Sequence, residues 1–172
     1  MSYNLSELFE RVAGAVPDRE AVVTAQRRLT FRELDERADR LAAHLSGMGV
    51  SEGDRVGLQL QNGTEYLEGM LALFKLRTVP VNINYRYVER ELQQLFADAG
   101  LVALIVHEAF APRVEAIRHE VPTLRHVLVC ADDASPASDY ETALAAAEPG
   151  QTHTGRSSDD IYCAYTGGTT GL

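Results

Sequence analysis

The residues of this chain best suited to chemistry stand together in Thr166-Gly167-Gly168-Thr169-Thr170-Gly171, directly after the apolar run Ile161-Tyr162-Cys163-Ala164-Tyr165. Glycine has no Cβ, so the backbone at 167, 168 and 171 can come close to a bulky oxyanion and turn successive N–H groups toward it. The hydroxyls of Thr166, Thr169 and Thr170 can donate further hydrogen bonds. Such a loop is a phosphate cradle in outline. A flexible Gly/Thr linker has the same composition but seldom follows a strand this apolar. Composition leaves ATP, GTP and pyrophosphate open as ligands. Two familiar phosphate loops do not fit. The Walker A pattern needs Gly-Lys-Ser/Thr after four residues, but the residue five beyond Gly167 is Leu172. The adjacent Gly167-Gly168 pair breaks the alternating glycines of the dinucleotide fingerprint.

Other candidates have plainer readings. His44, His107, His119, His126 and His153 lack the two-ligand spacing of a zinc site and read as surface or strand-end residues, so no metal held by the protein is expected. Asp132-Asp133 and Asp159-Asp160 read as solvated loop acids, because magnesium in nucleotide enzymes leans mainly on substrate phosphates. Lys75, the chain's one lysine, follows Phe74 near a predicted helix C-terminus, where a cation meets exposed carbonyls. Turn formation accounts for Asn82 and Asn84 beside Tyr85. Cys130 and Cys163 lie in apolar runs and read as reduced, structural thiols.

The elements that must position the Gly/Thr loop follow from periodicity. Leu5, Leu8, Phe9, Val12 and Ala13 predict a first helix closed by Pro17. Short extended pieces at 21–23 and 28–29 suggest a hairpin. Thr30 with Glu33 three residues on matches a capping box, and Leu34, Ala38, Leu41, Ala42 and Leu45 form one apolar face ending at Gly47 and Gly49. From there strands at 55–60, 79–83, 101–106 and 127–129 alternate with helices at 65–75, 88–99 and 110–120. A short helix at 140–147 precedes a buried strand at 161–165. The nearly continuous apolar character of 101–106 and 127–129 suits strands covered on both sides. The pattern predicts an α/β fold, a mostly parallel sheet with helices on both faces.

Residues 165–171 resemble the phosphate loop of the adenylate-forming superfamily, which includes acyl-CoA synthetases, adenylation domains of peptide synthetases and firefly-type luciferases. That loop usually reads Tyr-Thr-Ser-Gly-Thr-Thr-Gly, and Tyr165 to Gly171 match it at every position but Gly167. Leu29-Thr30-Phe31-Arg32-Glu33-Leu34 is similar to the first signature, Leu-Thr-Tyr-x-Glu-Leu. Residues 75–82 are similar to the second, Lys-Ala-Gly before a short strand, although Leu76-Arg77-Thr78 replaces its small residues. Residues 79–92 look most like the fatty-acyl-CoA synthetase branch. The resemblance implies an ATP-dependent acid:CoA ligase, in which a carboxylate, here a fatty acid by preference, attacks the α-phosphate of Mg-ATP. CoA then displaces AMP from the acyl-adenylate. ATP, Mg2+ entering with it and CoA as co-substrate are the implied small molecules, with Thr166, Gly167, Gly168, Thr169, Thr170 and Gly171 gripping the phosphates. The other catalytic parts would fall beyond Leu172. Residues 1–172 then make the N-terminal portion of a larger AMP-binding domain, inactive alone and carrying no catalytic residue of their own. The alternatives are an adenylation domain of a peptide synthetase, or a non-catalytic nucleotide-binding module.

Composition bounds the partners. Sixteen basic against 25 acidic residues give a net charge of -9, which disfavours nucleic acid. Much of the acidity falls in 131–160, which reads as a solvated surface segment. No apolar run approaches the roughly 20 residues of a membrane span, and the N-terminus lacks the features of a secretory signal. A cytoplasmic enzyme is expected, with homo-oligomerisation through an unpaired sheet edge if the sheet ends at the 161–165 strand.

Overall fold

A computed structural model of the chain describes residues 3–131, 138–149 and 155–165. Helix α1 (Leu5–Ala15) starts at Asn4, whose side-chain oxygen accepts from the Glu7 N–H at 3.0 Å. Strands β1 (Glu20–Val23) and β2 (Arg28–Thr30) pair antiparallel as a hairpin. Helix α2 (Phe31–Gly47) follows without a loop. Its capping box is formed in full, with Thr30 Oγ1 accepting from the Glu33 N–H and the Glu33 carboxylate accepting from the Thr30 N–H at 2.7 Å. That carboxyl lies below its usual range because the Thr30 N–H and hydroxyl both stabilise the ionised form.

The main sheet is built from β3 (Arg55–Gln59), β4 (Val79–Asn82), β5 (Ala103–His107), β6 (His126–Cys130) and β7 (Cys163–Ala164) in the order β6-β5-β3-β4-β7. Every pairing in it is parallel. Helices α3 (Thr64–Lys75), α4 (Glu89–Ala99) and α5 (Ala111–Ile117, tightening into a 3-10 turn at Arg118–Glu120) make the crossovers. Helix α6 (Asp139–Ala146) lies between β6 and β7 in sequence.

Two apolar layers sandwich this sheet. Leu41 and Leu45 of α2, Leu73 of α3 and Tyr140 and Leu144 of α6 pack on Val56, Leu58 and Ile105 on one side. Leu92 and Phe96 of α4 with Val114 and Ile117 of α5 pack on Val81, Leu104 and Val106 on the other. Gly57 is closely covered by this packing. A Cβ there would sit 2.5 Å from Ile83 Cδ1 and 2.7 Å from Leu104 Cδ1, so those side chains would have to shift to admit one. The expected α/β architecture with both faces covered is therefore present.

The last strand departs from expectation. Only Cys163 and Ala164 pair with β4, where a buried strand over 161–165 was expected. Ile161 is 59% and Tyr162 41% exposed. The sequence is apolar enough for an interior strand, but β7 lies at the edge of the described sheet and has a neighbour on one side only.

Candidate functional site

Because the five strands are parallel, their carboxyl ends share one edge of the sheet. The connection after β3 runs to α3 on one face, while the connection after the adjacent β5 runs to α5 on the other. Adjacent strands whose connections diverge in this way leave a crevice where open α/β sheets bind ligands. A cavity of about 200 Å³ opens there, its wall including Arg27, Gln61, Asn62, Thr64, His107 and Cys130. The sequence marks only His107 and Cys130 among these, as a strand-end histidine and a structural thiol and not as site residues, because the hairpin, the β3–α3 turn and the ends of β5 and β6 meet only in three dimensions. Burial pushes the Cys130 thiol up to about 12, with Glu65, Glu68 and Glu108 adding to the rise, so it is an unreactive thiol. Cys130 and Cys163 are both free, as expected.

Behind the cavity, charges are paired rather than solvated. Arg37 donates to Glu68 at 2.7 Å and to Glu141 at 2.6 Å, Arg27 donates to Glu141 at 3.0 Å, and the Tyr140 hydroxyl donates to Glu68 at 2.7 Å. Glu141 belongs to the stretch expected to be a solvated acidic surface. In the fold it joins α6 to α2 and to the hairpin, because two arginines distant in sequence converge on it.

The strand leading toward the Gly/Thr loop is held mainly by side chains. Before it, Asp160 Oδ2 accepts from Asn4 Nδ2 at 3.0 Å and from the Ser157 N–H at 3.1 Å, and Oδ1 accepts from Arg77 Nε at 3.1 Å. Burial alone would raise this carboxyl, but the hydrogen bonds from Asn4, Ser157 and Arg77 outweigh it and hold it below the usual range. Its side chain is 6% exposed, so the expectation of a solvated loop acid is corrected for Asp160. Next, the hydroxyls of Tyr162 and Tyr66 lie 3.2 Å apart, and Tyr66 donates to Asn82 Oδ1 at 3.1 Å. After β7, the Tyr165 hydroxyl donates to Asp98 Oδ2 at 2.6 Å, and burial together with that contact pushes the phenol up to about 12. Asn84 fills the turn role expected of it, its Oδ1 accepting from the Arg86 N–H at 3.0 Å. Thr166, Gly167, Gly168, Thr169, Thr170 and Gly171 lie outside the described residues, as do Asp132, Asp133 and His153.

A sequence profile of the AMP-binding enzymes matches residues 9–172. The chain belongs to this family. A 3-oxocholest-4-en-26-oate–CoA ligase of Rhodococcus rhodochrous is 41% identical over 99% of the chain. A medium-chain acyl-CoA ligase, Mig, of Mycobacterium avium is 39% identical over 99%. These matches cover 32% and 34% of the relatives, so the chain spans about a third of their length. Among solved structures, the anthranilate CoA ligase AuaEII in complex with anthranoyl-AMP superposes with a TM-score of 0.89 at 28% identity, covering 99% of this chain and 33% of that one. The inhibitor-bound N-terminal domain of FACL13 from Mycobacterium tuberculosis gives 0.88 at 27%, covering 99% and 42%.

Among the described residues of this AMP-binding enzyme chain, one grouping of acids has the spacing of a metal site. Carboxylate oxygens of Glu10, Asp35 and Asp39 lie within 4.8 Å of one another. The centre is filled by the ammonium of Lys75, 1% exposed, at 2.7, 2.9 and 2.6 Å from them. A cation of the chain itself thus supplies the charge a metal would. The expected structural role of Lys75 stands, but its partners are carboxylates of α1 and α2 instead of helix-end carbonyls. Burial draws the ammonium pKa down, and the hydrogen bonds to the three acids more than reverse this, leaving it raised.

Arg77 is the one non-glycine with positive φ among the described residues, at 57°. A side chain in the left-handed region costs about 1 kcal/mol or more. Arg77 stands where the family's second signature has glycine. Its guanidinium reaches Glu52 at 2.7 Å as well as Asp160.

Proposed function

We propose that this chain is the N-terminal portion of the AMP-binding domain of an ATP-dependent acid:CoA ligase. The observation that carries the reading is that the relatives aligned over nearly its whole length are acyl-CoA ligases. The loop motif at Tyr165 to Gly171 supports it. In the reaction, a carboxylate oxygen bonds to the α-phosphorus of ATP while the bond to pyrophosphate breaks. The CoA sulfur then bonds to the acyl carbon, AMP leaves, and the thiol proton passes to solvent. The backbone N–H groups and hydroxyls of Thr166 to Gly171 hold the phosphates and stabilise the charge that builds as pyrophosphate departs.

Mg2+ brought in with ATP would neutralise part of the phosphate charge. The described acids offer it no vacant cage, because Lys75 fills the one that has the spacing. A medium-chain or sterol-derived acid is the favoured substrate class, following the relatives. We assign the enzyme to the cytoplasm; no helix of the described residues is long and apolar enough to cross a membrane.

The test is to supply the full-length protein with ATP, Mg2+, CoA and a panel of fatty, aryl and sterol side-chain acids. AMP and pyrophosphate are expected in equal amounts with an acyl-CoA product. Formation of the adenylate with no transfer to CoA would favour the peptide-synthetase alternative, and no nucleotide turnover with any acid would favour a binding module.

A further inference from the structure

We propose that the Arg77–Asp160 pair is a positioning device for the adenylation half-reaction, fixing the register in which the strand before the phosphate loop meets β4. The inference rests on the ligase reading above. Strand β7 has two paired residues, Cys163 opposite Val81 and Ala164 opposite Asn82. So short a ladder defines register poorly, and sliding by one residue would exchange the faces of every side chain. The definition has to come from outside the ladder. Asp160 stands three residues before β7, and Arg77 stands two residues before β4 in the turn that follows α3. Their contact therefore joins the approaches to the two paired strands at the same end.

Three features mark this contact as more than a surface ion pair. Asp160 is nearly buried and is gripped from three directions, by Asn4, Ser157 and Arg77. Asn4 also donates to the Phe74 carbonyl oxygen at 2.9 Å, so the carboxylate is tied to the C-terminal turn of α3 by a second route. Finally, Arg77 keeps a left-handed backbone that glycine would adopt without strain. Strain held at one residue, with its side chain fixed by partners far away in sequence, is common beside functional sites.

The phosphate loop acts while pyrophosphate is still present. Once the acyl-adenylate has formed and pyrophosphate has left, transfer to CoA no longer calls on it. Loss of the clamp should thus affect one half-reaction and spare the other. In the full-length enzyme, Asp160→Ala and Arg77→Gly should each lower kcat/KM for ATP in ATP–pyrophosphate exchange by about tenfold, since small displacements of positioning groups carry penalties of this order or more. Conversion of preformed acyl-adenylate and CoA to thioester should stay within about twofold of wild type. Arg77→Gly separates positioning from folding, because relief of the left-handed strain offsets part of what the lost ion pairs cost; its melting temperature should fall less than that of Asp160→Ala. Unchanged exchange in both variants would overturn the proposal. So would an equal fall in both half-reactions. A wild-type protein with no acid-dependent exchange would instead overturn the ligase reading, and this inference with it.

Discussion

Gln59 is wholly buried at the end of β3, and neither its amide oxygen nor its amide nitrogen has a hydrogen-bond partner among the described residues. Strand alternation puts it on the α4 and α5 side of the sheet with Gly57, among aliphatic residues. A buried polar group without a partner costs about 1–3 kcal/mol. Methionine has nearly the same shape and no such need, so Gln59→Met should stabilise the chain. A gain of about 1–2 kcal/mol corresponds to a rise of about 2–8 °C in melting temperature for a protein of this size. A fall would mean that the amide is satisfied by water or another ligand. The residue scale is also where the sequence was hardest to read. Asp160 and Lys75 were visible as charges, but their partners are 83 and 156 positions away in one case and 36, 40 and 65 in the other. No local pattern carries that information.

Among the elements, legibility followed the strength of local signals. The capping box at Thr30, the heptad-like faces of α2 and α4, and the order of strands and helices from β3 to β6 agree with the sequence reading to within one or two residues. Local chemistry dictates these. Strand β7 is shorter and more exposed than its apolar sequence predicts, since apolar composition does not reveal whether a strand is interior or at an edge. What locks the amino-terminal helices together was likewise hidden. Glu10 of α1, Asp35 and Asp39 of α2 and Lys75 of α3 meet in a buried ion cluster, to which Arg156 adds a contact with Glu10. Removing one member of a buried cluster costs about 3–5 kcal/mol because the others are left uncompensated. Lys75→Met should accordingly lower the melting temperature by on the order of 10 °C at pH 7. The pH dependence has a definite sign. In the wild type, the raised Lys75 pKa means that its contribution is complete below the ordinary lysine range and is lost as pH rises through the higher folded value. In the variant the three carboxylates repel, so their folded pKa values rise above the unfolded ones. Stability is then regained as pH falls, and the deficit should shrink between pH 7 and pH 5. Thermal melts of both proteins across that range check it, and a deficit independent of pH would exclude charge repulsion as the cause.

For the molecule as a whole, the decisive feature is that β7 leaves one side of the described sheet without a strand beside it, flanked by the exposed Ile161 and Tyr162. Backbone N–H and C=O groups along such an edge readily pair with another chain unless charge, proline or a covering segment blocks them. Residues 1–172 studied alone should therefore associate in a concentration-dependent manner in size-exclusion chromatography. Ile161→Lys, which puts a charge beside the edge without touching either apolar layer, should return them toward monomer. The same piece should form no AMP with any acid, because the phosphate loop proposed above would supply only grip on the nucleotide and the chain carries no described group suited to hold an acid against it. The two outcomes test different things. A clean monomer at all concentrations would mean that the β7 edge is covered, while acid-dependent AMP formation would mean that adenylation needs no more than this third of the relatives' length. Association without turnover is the pairing that the proposed N-terminal portion, with an open edge on its described sheet, should produce.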